Sequence, residues 1–220
     1  MARQLRLSLE RRDPPTFDDF VRGASNADAA AAVESWPAWR GGCLALIGPA
    51  GSGKSHLARA WAQAADALIL DPDASDVAAA EGRPVLVEDA DAQVSTEGLF
   101  HLINLAARPG GGLLLTGRTL PAVWSAALPD LRSRLNALPV AEIGPPDDAV
   151  LEGVLRRFFR VHHITPPEGI YPYLLSRMSR SLPDAEEIVR RLNEAGDAGF
   201  APVTRVLARR ILDDRSELDL

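Results

Sequence analysis

The chain has 220 residues, enough for one medium domain and a small companion, and a formal net charge of −6. Acidity of this order argues against unaided grip on nucleic acid, which depends on neutralising phosphates. Cys43 is the single cysteine, no apolar run approaches the ~18 residues of a membrane span, and no apolar stretch follows the basic amino terminus, so a cytoplasmic protein without disulfide, membrane contact or secretory signal is expected.

The chain opens on QLRLSL, Gln4 to Leu9. As an extended peptide it offers Gln4 to a polar subsite, with Leu7 and Leu9 as aliphatic anchors and Leu5 beside them. Arg11 to Pro15 would tether it to the body. Cys43 to Ile47, CLALI, reads as a buried parallel strand. It runs into GPAGSGKS, Gly48 to Ser55, which fits the phosphate-binding pattern G-x-x-x-x-G-K-[ST]. Lys54 is the only lysine, against 23 arginines. A chain so tilted toward arginine keeps a lysine where a compact ammonium fits and a planar guanidinium does not. Gly48, Gly51 and Gly53, with Pro49, Ala50 and Ser52 between them, allow backbone angles that turn N–H groups toward phosphates. Lys54 would reach the β- and γ-phosphates of ADP or ATP, the Ser55 hydroxyl would take a Mg²⁺ coordination place, and His56 completes the contact set. A helix over about 55–65 points its N-terminus at the same anion.

Further strands are expected over 67–70, 85–88, 113–116 and 140–143, separated by helices at about 95–107 and 131–138. This alternation predicts a five-stranded parallel sheet with helices on both faces and ligands at the carboxyl ends of the strands. PVLVEDAD, Pro84 to Asp91, ends a strand in acids that suit Mg²⁺ and an attacking water. If Glu88 stands on the metal side, Asp89 positions the water with a side chain one methylene short. If the register slides by one, Asp89 holds the metal side and Ala90 supplies no base. Either alignment predicts weak or no intrinsic hydrolysis, because phosphoryl transfer depends on positioning. Thr116, at the next strand end, can touch the γ-phosphate or the water. LRSRLNAL, Leu131 to Leu138, carries Arg132 and Arg134; Arg134 is either a solvated arginine or one that reaches a neighbour's nucleotide.

Gly144-Pro145-Pro146-Asp147-Asp148 interrupts the alternation, and Asp147 or Asp148 can cap the helix that follows. Beyond it only helices are expected, at about 148–161, 169–178, 183–195 and 203–212. The chain therefore divides into an extended peptide and linker (1–15), an α/β nucleotide-binding domain (16–145) and a small helical domain (146–220). The four histidines lack the carboxylate or thiol spacing of a metal site.

This order of parts resembles the AAA+ superfamily: a P-loop NTPase core with a small all-helical lid. TFDDFVRGASNADAAAAV, Thr16 to Val33, is similar to the adenine-side segment of the bacterial replication initiator DnaA, matching at Phe17, Phe20, Val21, Gly23, Ser25 and Asn26. The resemblance implies that Phe20, Val21 and Asn26 surround the adenine. It also implies that Arg134 is an arginine finger acting in trans and that Arg180 is the lid's nucleotide-sensing arginine. QLRLSL is similar to a sliding-clamp-binding motif. A clamp motif on an initiator-like core that stops at Leu220, with no room for a carboxy-terminal DNA-binding domain, resembles the Hda family of regulatory inactivators of DnaA. The family resemblance implies a protein that docks on the DNA polymerase III β sliding clamp, meets DNA only through it, and stimulates hydrolysis of ATP bound to DnaA; a homodimer is compatible with it. Two other classes stay open. A DnaC-like helicase loader should bind single-stranded DNA, and a standalone P-loop ATPase or kinase should turn over ATP by itself.

Overall fold

The computed structural model describes residues 14–70, 77–93, 95–124, 128–199 and 203–216. Five parallel strands, β1 (Cys43–Ile47), β2 (Leu68–Leu70), β3 (Pro84–Val87), β4 (Gly112–Gly117) and β5 (Val140–Glu142), pair in the order β2-β3-β4-β1-β5. In the register, Ala45 of β1 lies opposite Leu115 of β4 on one side and Val140 of β5 on the other. Every residue of β1 and β4 is buried, which is why both read as unbroken apolar runs rather than alternations. The edge strands β2 and β5 are short and half-open, exposing Ile69 and Val140.

Alternate residues of the central strands feed two opposite cores. Leu44, Leu46, Leu86 and Leu114 pack under α1 (Ala27–Glu34) and α2 (Lys54–Ala64), joined by Trp61 and Val33. Ala45, Val85, Val87, Leu113 and Leu115 face the other way, onto α4 (Thr96–Ala106) and α5 (Pro129–Ala137), with the short α3 (Ala90–Gln93) at the rim. Helices thus cover both faces, as the strand–helix alternation predicts. After the Pro145-Pro146 break, α6 (Asp148–Val161), α7 (Ile170–Leu175), α8 (Leu182–Gly199) and α9 (Arg205–Ser216) enclose a third core around Leu155, Phe159, Leu174, Ile188 and Leu192.

Beyond the helices expected from sequence, the structure adds α1 and the short α3; the remaining differences lie at element ends. β3 stops at Val87 because Asp89 takes a left-handed φ of 50° and turns the chain out of the sheet. Asp147, not Asp148, caps α6: its side chain accepts the Val150 N–H at 2.9 Å. α8 runs past the expected stop at 195 to Gly199. Among the described residues no helix is long and apolar enough to cross a membrane.

Candidate nucleotide site

The segment Gly48–Gly53 leaves the carboxyl end of β1 and delivers the chain to α2, whose first residue is Lys54. The Gly48 N–H donates to the Gly117 carbonyl at 3.2 Å, which ties the loop to the end of β4. Gly51 and Gly53 adopt φ of 72° and 100°, a region that suits glycine. The Ser52 hydroxyl is buried without a hydrogen-bond partner, and Ser55 is exposed on the first turn of α2. Lys54 is buried, its Nζ donating to the carbonyls of Gly48 (2.7 Å) and Pro49 (2.8 Å). Burial lowers its pKa, and Arg118 lowers it further; Asp89 and Asp91 oppose the shift.

The acids after β3 separate by role. Glu88 is turned to Arg59 of α2, at 2.8 Å from Nε and 2.7 Å from the terminal guanidinium nitrogen. The Asp89 N–H donates to the Thr116 Oγ1 at 3.0 Å, so the buried Thr116 hydroxyl keeps its own proton for another acceptor. Asp91 Oδ2 accepts from the N–H groups of Arg118 (2.7 Å) and Thr119 (3.1 Å) and from the Thr119 hydroxyl (3.2 Å). Glu88 is thus engaged by Arg59, while Asp89 and Asp91 are the acids whose charges act on Lys54.

Phe20 is buried in the core beneath α1 and α2, its ring centroid 5.9 Å from that of His56. Burial lowers the pKa of His56, with Arg157 adding to the effect. Asn26 is buried and fully engaged in shaping its own turn: Oδ1 accepts the Gly23 N–H at 2.9 Å and Nδ2 donates to the Val21 carbonyl at 3.0 Å. Val21 packs on Gly153 of α6. The Ser25 N–H donates to Asp147 Oδ2 at 2.9 Å, stitching the segment to the helical part. From that side the Leu182 N–H donates to the Gly51 carbonyl at 3.0 Å, with Ser181 and Pro183 against the same glycine.

The fold therefore brings Gly48–Ser55, Asp89, Thr116 and residues 181–183 around one loop, with Phe20 and His56 alongside. Arg180 instead pairs with Asp148 at 2.8 Å and donates to the Pro146 carbonyl at 3.2 Å. Arg134 is exposed on α5 with its guanidinium 5.0 Å from the Phe100 ring centroid. Gln4, Leu5, Leu7 and Leu9 lie outside the described residues. Sequence reasoning did not single out Asp91 or Arg118; the last acid of PVLVEDAD and the polar run T-G-R-T at the end of β4 were their signals. Among the described residues no three His, Cys, Asp or Glu converge as a metal site on their own. Ser55 and an acid after β3 are the side chains that would hold Mg²⁺ together with phosphate oxygens of a bound nucleotide.

No protein-family model matches the chain. It is 27% identical to the chromosomal replication initiator DnaA of Cutibacterium acnes over 229 residues, covering 90% of this chain and 46% of that protein. Identity to DnaA of Caulobacter sp. is 26% over 225 residues, covering 86% and 46%. The chain spans about half the length of the curated relatives it matches. Domain III of Thermotoga maritima DnaA aligns with a TM-score of 0.75 at 20% identity, covering 90% of this chain and 95% of that domain. This is a DnaA-like AAA+ fold. A DnaA structure bound to AMPPCP and single-stranded DNA aligns at a TM-score of 0.66 and 17% identity, covering 83% of this chain and 67% of that one. A Thermotoga maritima RuvB variant aligns at 0.70 and 16%, covering 91% and 72%. Within this DnaA-like AAA+ fold, the helices after Pro146 reach the phosphate loop through Leu182.

Proposed function

We propose that the chain is a nucleotide-bound AAA+ regulator that stimulates hydrolysis of ATP on a DnaA-type initiator. It supplies Arg134 in trans while docked on the sliding clamp through Gln4, Leu5, Leu7 and Leu9. ADP or ATP with Mg²⁺ sits on Gly48–Ser55, Phe20, Val21, Asn26 and His56 line the base side, and Thr116 donates toward the terminal phosphate. Asp89 and Ser55 hold the metal, while Glu88 stays paired with Arg59. Bound nucleotide supplies the ligand that orders this site; slow cleavage in cis follows from the lack of a well-placed base after Asp89.

The observation that carries the reading is Arg134. Its exposed guanidinium lies over the partly buried Phe100 ring, and no carboxylate pairs with it among the described residues. Release from such a contact costs about 0.5–1 kcal/mol, whereas a finger delivered to a developing phosphoryl charge is worth ~10³–10⁵ in rate. Similarity in fold to domain III of the initiator supports the geometry, since a related fold can pack against that domain as another copy would. The test is single-turnover hydrolysis of ATP pre-bound to DnaA in the presence of clamp-loaded DNA. The expected acceleration is lost on Arg134→Ala and on deletion of residues 4–9, with the chain's own nucleotide affinity retained. Undiminished acceleration by Arg134→Ala, or loss of its own nucleotide, sinks the trans assignment.

A further inference from the structure

Residues 19–25 run between the α/β core and the helical part, and their contacts alternate. The odd-numbered residues meet α6. Arg157 pairs with Asp19 at 3.0 Å. Val21 fills the space left open at Gly153, where a Cβ would come within 2.6 Å of Val21 Cγ1. Gly23 lies so close to Val150 that a Cβ on it would come within 2.5 Å of that side chain, and the Ser25 N–H donates to Asp147 Oδ2 at 2.9 Å. The even-numbered residues face the core: Phe20 lies in the cluster beneath α1 and α2, and Arg22 pairs with Glu34 of α1. Steps of two are the period of an extended chain, whereas 147, 150, 153 and 157 are spaced by three or four, along one face of a helix. The segment and α6 run antiparallel over comparable lengths. From 147 to 157 a helix rises about 15 Å, and an extended chain from 19 to 25 spans at most about 20 Å.

The alternation makes this segment a strap with one edge in each part of the chain. Its core edge reaches the phosphate loop, since a Cβ at Gly53 would stand 3.5 Å from the Phe20 ring. Its other edge is fixed by α6. Val21 is β-branched and stiff at χ1, so it has no easy way to turn aside if Gly153 gains a methyl group. Alanine is the better helix former at such a position, and the room that Val21 needs accounts for the glycine.

We propose that Gly153 and Arg157 of α6 are positioning residues for a bound nucleotide: they seat Val21 and Asp19, hold the base-side strap against the core, and thereby set how long the nucleotide stays. The proposal rests on the nucleotide-binding reading of Gly48–Ser55. It adds that residence time is governed from one face of a helix that lies outside the phosphate loop.

Stopped-flow release of fluorescent ADP and ATP analogues from the full chain, chased with unlabelled nucleotide, tests it. Gly153→Ala should speed release of both by ~5–100-fold, the range of an overpacked contact, although helix propensity alone favours the substitution. Arg157→Ala should speed it by up to about fivefold, as for a partly exposed ion pair. The two nucleotides should respond alike, because the strap lies on the base side. Val21→Ala in the Gly153→Ala chain makes room again and should recover part of the slow release. Arg156→Ala breaks pairs with Glu152 and Glu168 that do not involve the strap, and should change release by less than about twofold. Hydrogen exchange on the same proteins should show the Ser25 amide, but not the amides of β1 and β4, opening faster in Gly153→Ala. Unchanged release in Gly153→Ala overturns the proposal, as does equal acceleration by Arg156→Ala, which would make release a matter of helix stability alone. A loosened Ser25 amide with unchanged release overturns it too and leaves nucleotide binding standing. If the unaltered chain binds neither analogue, the nucleotide reading fails and takes the proposal with it.

Discussion

Replacing Asp147 by alanine removes two hydrogen bonds that hold different parts of the chain. Oδ1 accepts the Val150 N–H at 2.9 Å and caps α6, while Oδ2 accepts the Ser25 N–H at 2.9 Å and fixes the base-side segment. Loss of a side-chain cap costs about 1 kcal/mol. The second bond is charge-assisted, ~1.5–3 kcal/mol at full burial, and partial exposure of Asp147 reduces it to about 1 kcal/mol because water replaces the carboxylate. The sum is about 2 kcal/mol, a fall in midpoint of roughly 4–8 °C for a chain of this size. Asp147→Asn keeps one acceptor oxygen but turns an NH₂ toward the other donor, so about half the effect is expected. Thermal and urea unfolding followed by circular dichroism at neutral pH measure both. The hydrogen bonds from Val150 and then Ser25 hold the Asp147 pKa below the usual carboxylate value. This stabilisation is complete above the ordinary pKa of ~3.9 and is lost as pH falls through the lower folded-state value. The gap between the native chain and Asp147→Ala should therefore close in acid. A cost below about 0.5 kcal/mol at neutral pH, under the floor for a lost cap, or a gap that survives full protonation, would refute the reasoning.

Three further outcomes are expected. Asp89→Ala should remove the Mg²⁺-dependent part of nucleotide affinity, roughly tenfold or more for a lost metal ligand shell, while Glu88→Ala leaves it; the reverse pattern restores Glu88 to the metal side. Burial pushes the Cys43 thiol up to about 12, so Ellman's reagent at mildly alkaline pH should label it only when urea unfolds the chain. Labelling at the same rate in native buffer contradicts the buried strand. Burial first, and Arg157 next, lower the pKa of His56, so the unfolded chain takes up that proton before the folded one. Stability from this group is full above ~6.5 and declines as pH falls from there through the folded-state value. His56→Gln should lose that part of the slope between neutral and mildly acidic pH, and parallel midpoint curves for the two proteins would count against it.

Strands buried on both faces announced themselves in the sequence: CLALI coincides with β1, and the loop after it needed only its glycines and Lys54 to be placed. Local periodicity could not supply the partners of polar side chains. Both ends of the Asn26 amide bond the backbone of Val21 and Gly23, an arrangement visible only once the turn is built. Glu88 and Asp89 are adjacent letters, and the left-handed φ at Asp89 sends their side chains to different neighbours. Arg180 pairs with Asp148, an acid 32 positions earlier that no pattern pairs with it. Arg118 escaped because among 23 arginines composition offers no reason to single one out.

That Lys54 is the only lysine, buried against two carbonyls of its own loop, limits how this protein can be chemically marked. Amine-directed reagents have two addresses, the amino terminus and the floor of the phosphate loop. Acylation followed by mass spectrometry thus becomes a footprint of that single location, with protection reporting occupancy and no background from surface lysines. For a cell the same economy means that lysine acylation of this chain, wherever it occurs beyond the terminus, strikes the ammonium on which the loop depends.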